Sequence, residues 1–258
     1  MKKIFISVLI LLVSVNVAFA LSINIDPSNV KILLKTGDSK SGEIIVRNTS
    51  GSPVRLRAYV EDWIYAEDGS KTFMKPGSSV FSCSNWIKLD SDAFELSPKE
   101  ERKVSYVISS PPTASGSHVS VIFFESLVEE QAGIAVSGRI GTIIYQDTEG
   151  TIKVDGELSR VSVSTSEEGK PVNAAFSFIN KGNSMLLSKA KVTIVQNDKD
   201  VLETRALPVN TLPGESRTVN LSFSPLKEGK YKIKTELSYG DKTLNSQADF
   251  TIKKISPK

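Results

Sequence analysis

Hydrophobic residues in this chain recur with a period of two, and that alternation constrains the fold more than any other feature of the sequence. Gly42-Glu-Ile-Ile-Val-Arg-Asn48, Val54-Arg-Leu-Arg-Ala-Tyr-Val60, Lys103-Val-Ser-Tyr-Val-Ile108 and Val119-Ser-Val-Ile-Phe-Phe124 are short and rich in β-branched and aromatic residues. Each is bounded by Gly, Pro, Asn or Ser, the pattern of β-strands closed by turns. Turn signals separate them, among them Asn48-Thr-Ser-Gly-Ser-Pro53, Glu67-Asp-Gly-Ser70, Ser166-Glu-Glu-Gly-Lys-Pro171 and Tyr239-Gly-Asp-Lys242. No window carries an amphipathic helical stripe. The predicted class is all-β.

Three landmarks occur twice in the same order. A strand ends at Asn48-Thr-Ser-Gly, followed by Leu96-Ser-Pro-Lys-Glu-Glu-Arg-Lys-Val104 and Gly116-Ser-His-Val119. A second strand ends at Asn180-Lys-Gly-Asn, followed by Leu212-Pro-Gly-Glu-Ser-Arg-Thr-Val219 and Gly229-Lys-Tyr-Lys232. A chain of 258 residues has room for two copies of an immunoglobulin-like sandwich. The expected organisation is two tandem immunoglobulin-like β-sandwiches, residues 21–147 and 148–258, of about seven strands each.

Residues 1–20 are expected to lie outside that fold. Lys2 and Lys3 precede the apolar run Ile4–Val15, and Ala18-Phe-Ala20 supplies small residues for cleavage, the layout of a cleaved signal peptide. The run is shorter than the ~20 residues that span a bilayer, so the mature chain is expected not to insert into a membrane. Without Lys2 and Lys3, 30 basic residues stand against 29 acidic ones. That near-neutral chain shows no clustered Lys/Arg, so no nucleic-acid partner is expected.

One Cys and one His exclude a disulfide framework and most metal and acid–base chemistry. Cys83 reads as a buried thiol. His118 lies opposite Val119, Val121 and Phe123 on its strand and reads as facing solvent. Trp63 and Trp86 read as core anchors, and Arg47, Arg55 and Arg57 as a basic strip on the wet face of a sheet. Asp90, Asp92 and Glu95 lack the glycine and spacing of a calcium loop. No catalytic residue, metal site or cofactor is expected, and the chain is read as non-enzymatic.

Ile23-Asn-Ile-Asp-Pro27, Gly42–Asn48, Val54–Trp63, Phe94-Glu-Leu-Ser-Pro98 through Val104, and the stretch Ile134–Tyr145 together resemble the N-terminal domain of PapD-like periplasmic pilus-assembly chaperones. The second half resembles a generic immunoglobulin-like domain. The resemblance implies a periplasmic chaperone that binds an exported, pilin-like subunit by strand addition. The long last strand of its first domain would present Ile134, Val136, Ile140, Thr142 and Ile144 to the partner. The same alternation equally fits side chains turned into that domain's own core. Family members anchor the subunit's carboxylate with an Arg near the first strand and a Lys on the last. Asn29 and Thr142 stand at those positions here, and Lys31 and Arg139 are the neighbouring cations, so Asn29, Lys31 and Arg139 mark the expected anchoring region. The alternative is a structural or adhesive envelope protein, extracellular or on the cell surface, whose tandem sandwiches form a docking module.

Overall fold

The computed structural model describes residues 23–127, 137–164 and 167–254. Among the described residues ten strands run up to Thr148: β1 (Ile23–Asp26), β2 (Asn29–Leu34), β3 (Ser39–Asn48), β4 (Val54–Tyr65), β5 (Lys71–Met74), β6 (Ile87–Leu89), β7 (Ala93–Leu96), β8 (Glu101–Ser109), β9 (Ser117–Ser126) and β10 (Arg139–Thr148). One sheet runs β1-β3-β8-β6 and the other β2-β10-β9-β4-β5, with β7 also on β4. Even-numbered residues of β9 and β10 face inward, and Ile44, Leu56, Leu96, Ile108, Ile122, Phe124 and Ile144 are fully buried between the sheets.

Nine described strands follow: β11 (Gly156–Leu158), β12 (Ser162–Val163), β13 (Val172–Asn180), β14 (Ser188–Gln196), β15 (Lys199–Glu203), β16 (Leu207–Pro208), β17 (Ser216–Phe223), β18 (Gly229–Tyr239) and β19 (Lys242–Ile252). β13 is flanked by β11 and β12 on one edge and by β17 on the other. The opposing sheet runs β15-β14-β18-β19, with β16 on β14. Phe176, Phe178, Val192, Ile194, Ile233 and Leu237 fill the space between. The chain is thus all-β, two stacked sandwiches. Among the described residues no strand of the first pairs with a strand of the second, and we place the joint at 149–155. The strands outnumber the expected seven per copy because short pieces such as β5, β6 and β7 break up the longer connections.

The joint is held by the start of β9. Ser117 donates its N–H to Asn183 O at 2.8 Å, and its hydroxyl accepts from Met185 N–H at 3.0 Å and donates to the Asp147 carboxylate. Gly116 donates to Thr151 Oγ1 at 2.8 Å and has φ +80°, and a β-carbon there would collide with the Asn183 carbonyl. Only glycine satisfies both demands.

Candidate functional site

The outer face of the β2-β10-β9-β4-β5 sheet carries a second apolar cluster. Trp63, Val119, Val121 and Phe123 are buried on it, and Leu212 of the second sandwich is fully buried against them. Tyr59, Tyr65, Phe73, Ile143, Tyr145 and Met185 rim this cleft, each half-buried. The rings meet edge to face: Trp63 with Tyr65 at 5.1 Å and Tyr145 at 6.0 Å, Phe73 with Phe123 at 4.9 Å. Burial pushes the Tyr65 phenol up to about 12, so it stays neutral and hydrogen-bonds Asn210.

Each strand of this sheet contributes its odd-numbered residues to the cleft. β9 is apolar on both faces because one face meets the sandwich core and the other the cleft. On β10 the odd residues are Arg139, Gly141, Ile143 and Tyr145. The even ones face the first core: Thr142 and Ile144 are fully buried and Ile140 packs partly against it. Three expected partner-facing residues are thereby corrected, since Ile140, Thr142 and Ile144 fill their own domain, and the Thr142 hydroxyl donates to Pro27 O at 2.7 Å. Ile134 and Val136 lie outside the described residues.

Among the described residues, part of one edge of strand β10 nevertheless has no paired strand. β9 covers one side from Arg139 to Asp147, whereas β2 covers the other only from Ile143 onward. The reason is local. β1 pairs with β3 in the opposite sheet, and the chain crosses at Pro27-Ser28 to enter the second sheet as β2. Ser126 N–H donates to Gly138 O, so Gly138, Ile140 and Thr142 point their backbone groups at β9. Ile143 N–H donates to Ser28 O at 3.0 Å on the other side. By the same alternation, Arg139 and Gly141 aim their N–H and C=O groups at an edge that no described strand occupies. The absence of a side chain at Gly141 matters, because a β-carbon there would stand 2.6 Å from Val121 Cγ2 and 2.8 Å from Phe123.

The expected anchoring residues are dispersed. Asn29 pairs with Ile143 and Lys31 with Tyr145, both exposed and on the cleft side. Arg139 lies at the far end of β10, about 13 Å of strand from Ile143, and the three do not form one carboxylate clamp. Arg139 instead donates to Glu61 Oε2 at 3.0 Å and to the Tyr59 hydroxyl at 3.2 Å, its guanidinium lying 4.1 Å above the Phe123 ring. Those bonds hold its pKa above the ordinary arginine value, the Tyr59 bond contributing most.

No known protein-family model matches this sequence, and no curated protein does. Solved structures do. The structure of the class 5 fimbriae chaperone CfaA aligns with a TM-score of 0.51 at 11% identity, covering 89% of this chain and 98% of that one. A chaperone–tip adhesin complex of CFA/I fimbriae biogenesis aligns with a TM-score of 0.50 at 13% identity, with the same coverage. The chain has the fold of a fimbrial chaperone.

Within this chaperone fold the remaining sequence-flagged residues have structural roles. Cys83 is fully buried, its thiol pushed up to about 12 by burial and hydrogen-bonded to Ser120 Oγ at 3.2 Å. His118 does not face solvent. It is half-buried with its ring 4.4 Å from that of Trp86, and burial depresses its pKa. Arg47, Arg55 and Arg57 pair with Glu101, Glu95 and Glu125 rather than forming a free basic strip. Among the described residues no group of three or more His, Cys, Asp or Glu is placed to hold a metal ion, and no helix is long and apolar enough to cross a membrane.

Sequence reasoning missed the cleft residues Tyr59, Phe73, Phe123, Ile143, Tyr145 and Leu212. The available signal was the run Val119–Phe124, apolar at consecutive positions, which marks a strand covered on both faces.

Proposed function

We propose that this chain is a periplasmic, non-catalytic chaperone-type protein that holds an extended segment of an exported, pilin-like subunit by strand addition. The supporting observation is the edge at Arg139 and Gly141, where two N–H and two C=O groups point away from β9 beside an apolar cleft. Adding a strand there would satisfy those groups and extend the sheet along β10 ahead of β2. The side chains facing the partner are those of the odd register, with Ile143, Tyr145, Phe123 and Tyr59 forming the apolar floor.

Photo-crosslinking in cells tests this reading. A crosslinker at Ser137 or Lys31, both exposed on the cleft side, is expected to capture a secreted polypeptide. The same group at Ile140, turned toward the core, is expected to capture none. Equal capture at all three positions, or none at any, would overturn the reading.

A further inference from the structure

The cross-strand ion pairs on the two sandwiches follow a common rule, from which one of them departs. Arg47–Glu101, Arg55–Glu95 and Arg57–Glu125 join residues directly opposite on adjacent strands, and Glu43–Lys103, Lys181–Glu157 and Lys191–Glu203 join diagonal neighbours on adjacent strands. Arg139–Glu61 alone among these spans two strand intervals, from β10 across β9 to β4, and two rows along the sheet.

The register explains the departure. Arg139 stands directly opposite Glu125 on β9, and Arg57 stands directly opposite the same carboxylate from β4. Arg57 Nη2 holds Glu125 Oε2 at 2.8 Å, and that bond draws the Glu125 pKa down. The row therefore reads cation, carboxylate, cation across β4, β9 and β10. Its outer cation has lost its cross-strand carboxylate to Arg57, and it stretches over the Phe123 ring to reach Glu61. On the remaining side of Arg139 lies the edge that no described strand occupies.

We propose that the strand bound at this edge carries an Asp or Glu beside Arg139, and that Arg139 leaves Glu61 to pair with it. The inference deepens the strand-addition reading and rests on it. An incoming carboxylate beside Arg139 would sit at a cross-strand spacing of about 5 Å, one interval away where Glu61 is two. The row then continues as cation, carboxylate, cation, carboxylate. Swinging the guanidinium off Phe123 and Phe73, over which it now lies at 4.1 and 5.4 Å, uncovers both rings for an apolar side chain of the same strand. The partner segment is thus acidic at one position with apolar residues on the same face.

Fluorescence polarisation with short Thr/Val-alternating peptides tests this, using a central Glu, Gln or Lys. The wild-type chain is expected to favour the Glu peptide over the Gln peptide by about two- to fivefold, the range of exposed cross-strand ion pairs. Arg139→Gln is expected to remove that preference, and Arg139→Glu to transfer it to the Lys peptide. Glu61→Gln is expected to strengthen binding of the Glu peptide, because the competing carboxylate is gone. If the peptides bind without charge preference, or the preference survives Arg139→Gln, the pairing is wrong and strand addition stands. If no peptide binds any variant, strand addition at this edge fails and the pairing with it.

Discussion

The two sandwiches repeat one loop and use it differently. After Asn48 and Asn180 each chain segment reaches a buried leucine followed by a glutamate that turns back on the loop. Glu100 accepts from Ser97 N–H at 2.6 Å, and Glu215 accepts from Leu212 N–H at 2.7 Å. Both asparagines are buried, and each donates its amide to backbone carbonyls near that leucine loop: Asn48 to Leu96 O at 3.2 Å, Asn180 to Thr211 O at 3.4 Å. By these bonds Leu212 matches Ser97 and Thr211 matches Leu96, so the two leucines stand one residue apart in the shared loop and point to opposite sides of it. Leu96 completes the core of its own sandwich, whereas Leu212 inserts into the apolar cluster on the outside of the other. One loop design thereby closes a domain through a leucine in the first copy, and lines a cleft through a leucine at the next position in the second.

Substituting the two leucines is the strongest way to break that contrast. Leu96→Ala and Leu212→Ala each remove a fully buried side chain and are expected to cost about 2–5 kcal/mol in denaturant unfolding. Only Leu212→Ala is expected to shift the emission of Trp63 to the red, because only that cavity opens beside the indole. Equal shifts in both variants would mean that the leucines are not separated as described.

The paired asparagines sharpen the comparison with a smaller effect. Asn48→Ala and Asn180→Ala each leave backbone groups unpaired, since Ser50 N–H and Gly182 N–H donate to the respective Oδ1 atoms. A loss of about 1–3 kcal/mol is expected in each case. Similar losses in the two variants, read by urea unfolding, would confirm that the repeated loop is stabilised alike in both copies; a negligible loss in one would end the parallel.

The glutamates give the smallest effect and opposite signs. Glu100 is exposed, and its bonds to Ser97 lower its pKa. Glu215 is half-buried, and desolvation outweighs its bond to Leu212 and raises its pKa. A lowered carboxylate stabilises above its unfolded value of about 4.5 and loses that contribution as the pH falls through the folded value. A raised one is free of penalty below that value and acquires it as the pH rises through the folded value. On going from pH 7 to pH 4, wild type is expected to lose ground against Glu100→Gln and to gain ground against Glu215→Gln. Thermal melts of the three proteins across that range check both slopes.

How much of this was legible in the sequence follows from what alternation reports. A period of two identifies a strand and splits its residues into two faces, and the class, the pair of sandwiches and the repeated Asn and Leu landmarks follow from it. It does not say which face meets the core. On Ile134–Tyr145 the more apolar set was the even one, and hydrophobicity alone made it suitable for a partner or for the domain interior. Burial of Ile144 against Phe124 and its neighbours decides the matter. The odd set looked poorer because it contains Arg139 and Gly141, yet those two residues border the open edge. Arg139 appeared in the sequence as a neighbouring cation without a partner, and its place in a row with Glu125 and Arg57 depends on register across three strands. Such register is a tertiary property. Leu212 was visible as a repeat landmark, but its insertion against Trp63 depends on how the sandwiches stack.

Amide hydrogen exchange along β10 tests the central claim most directly. If the first part of the strand is open, the Arg139 and Gly141 amides exchange near the rate of an unstructured chain, while Ile140, Thr142 and Ile143 are protected. Adding a bound segment would then slow Arg139 and Gly141 alone among these five. Strong protection of Arg139 and Gly141 in the free protein would contradict the account, because the edge assigned to the partner would already be filled.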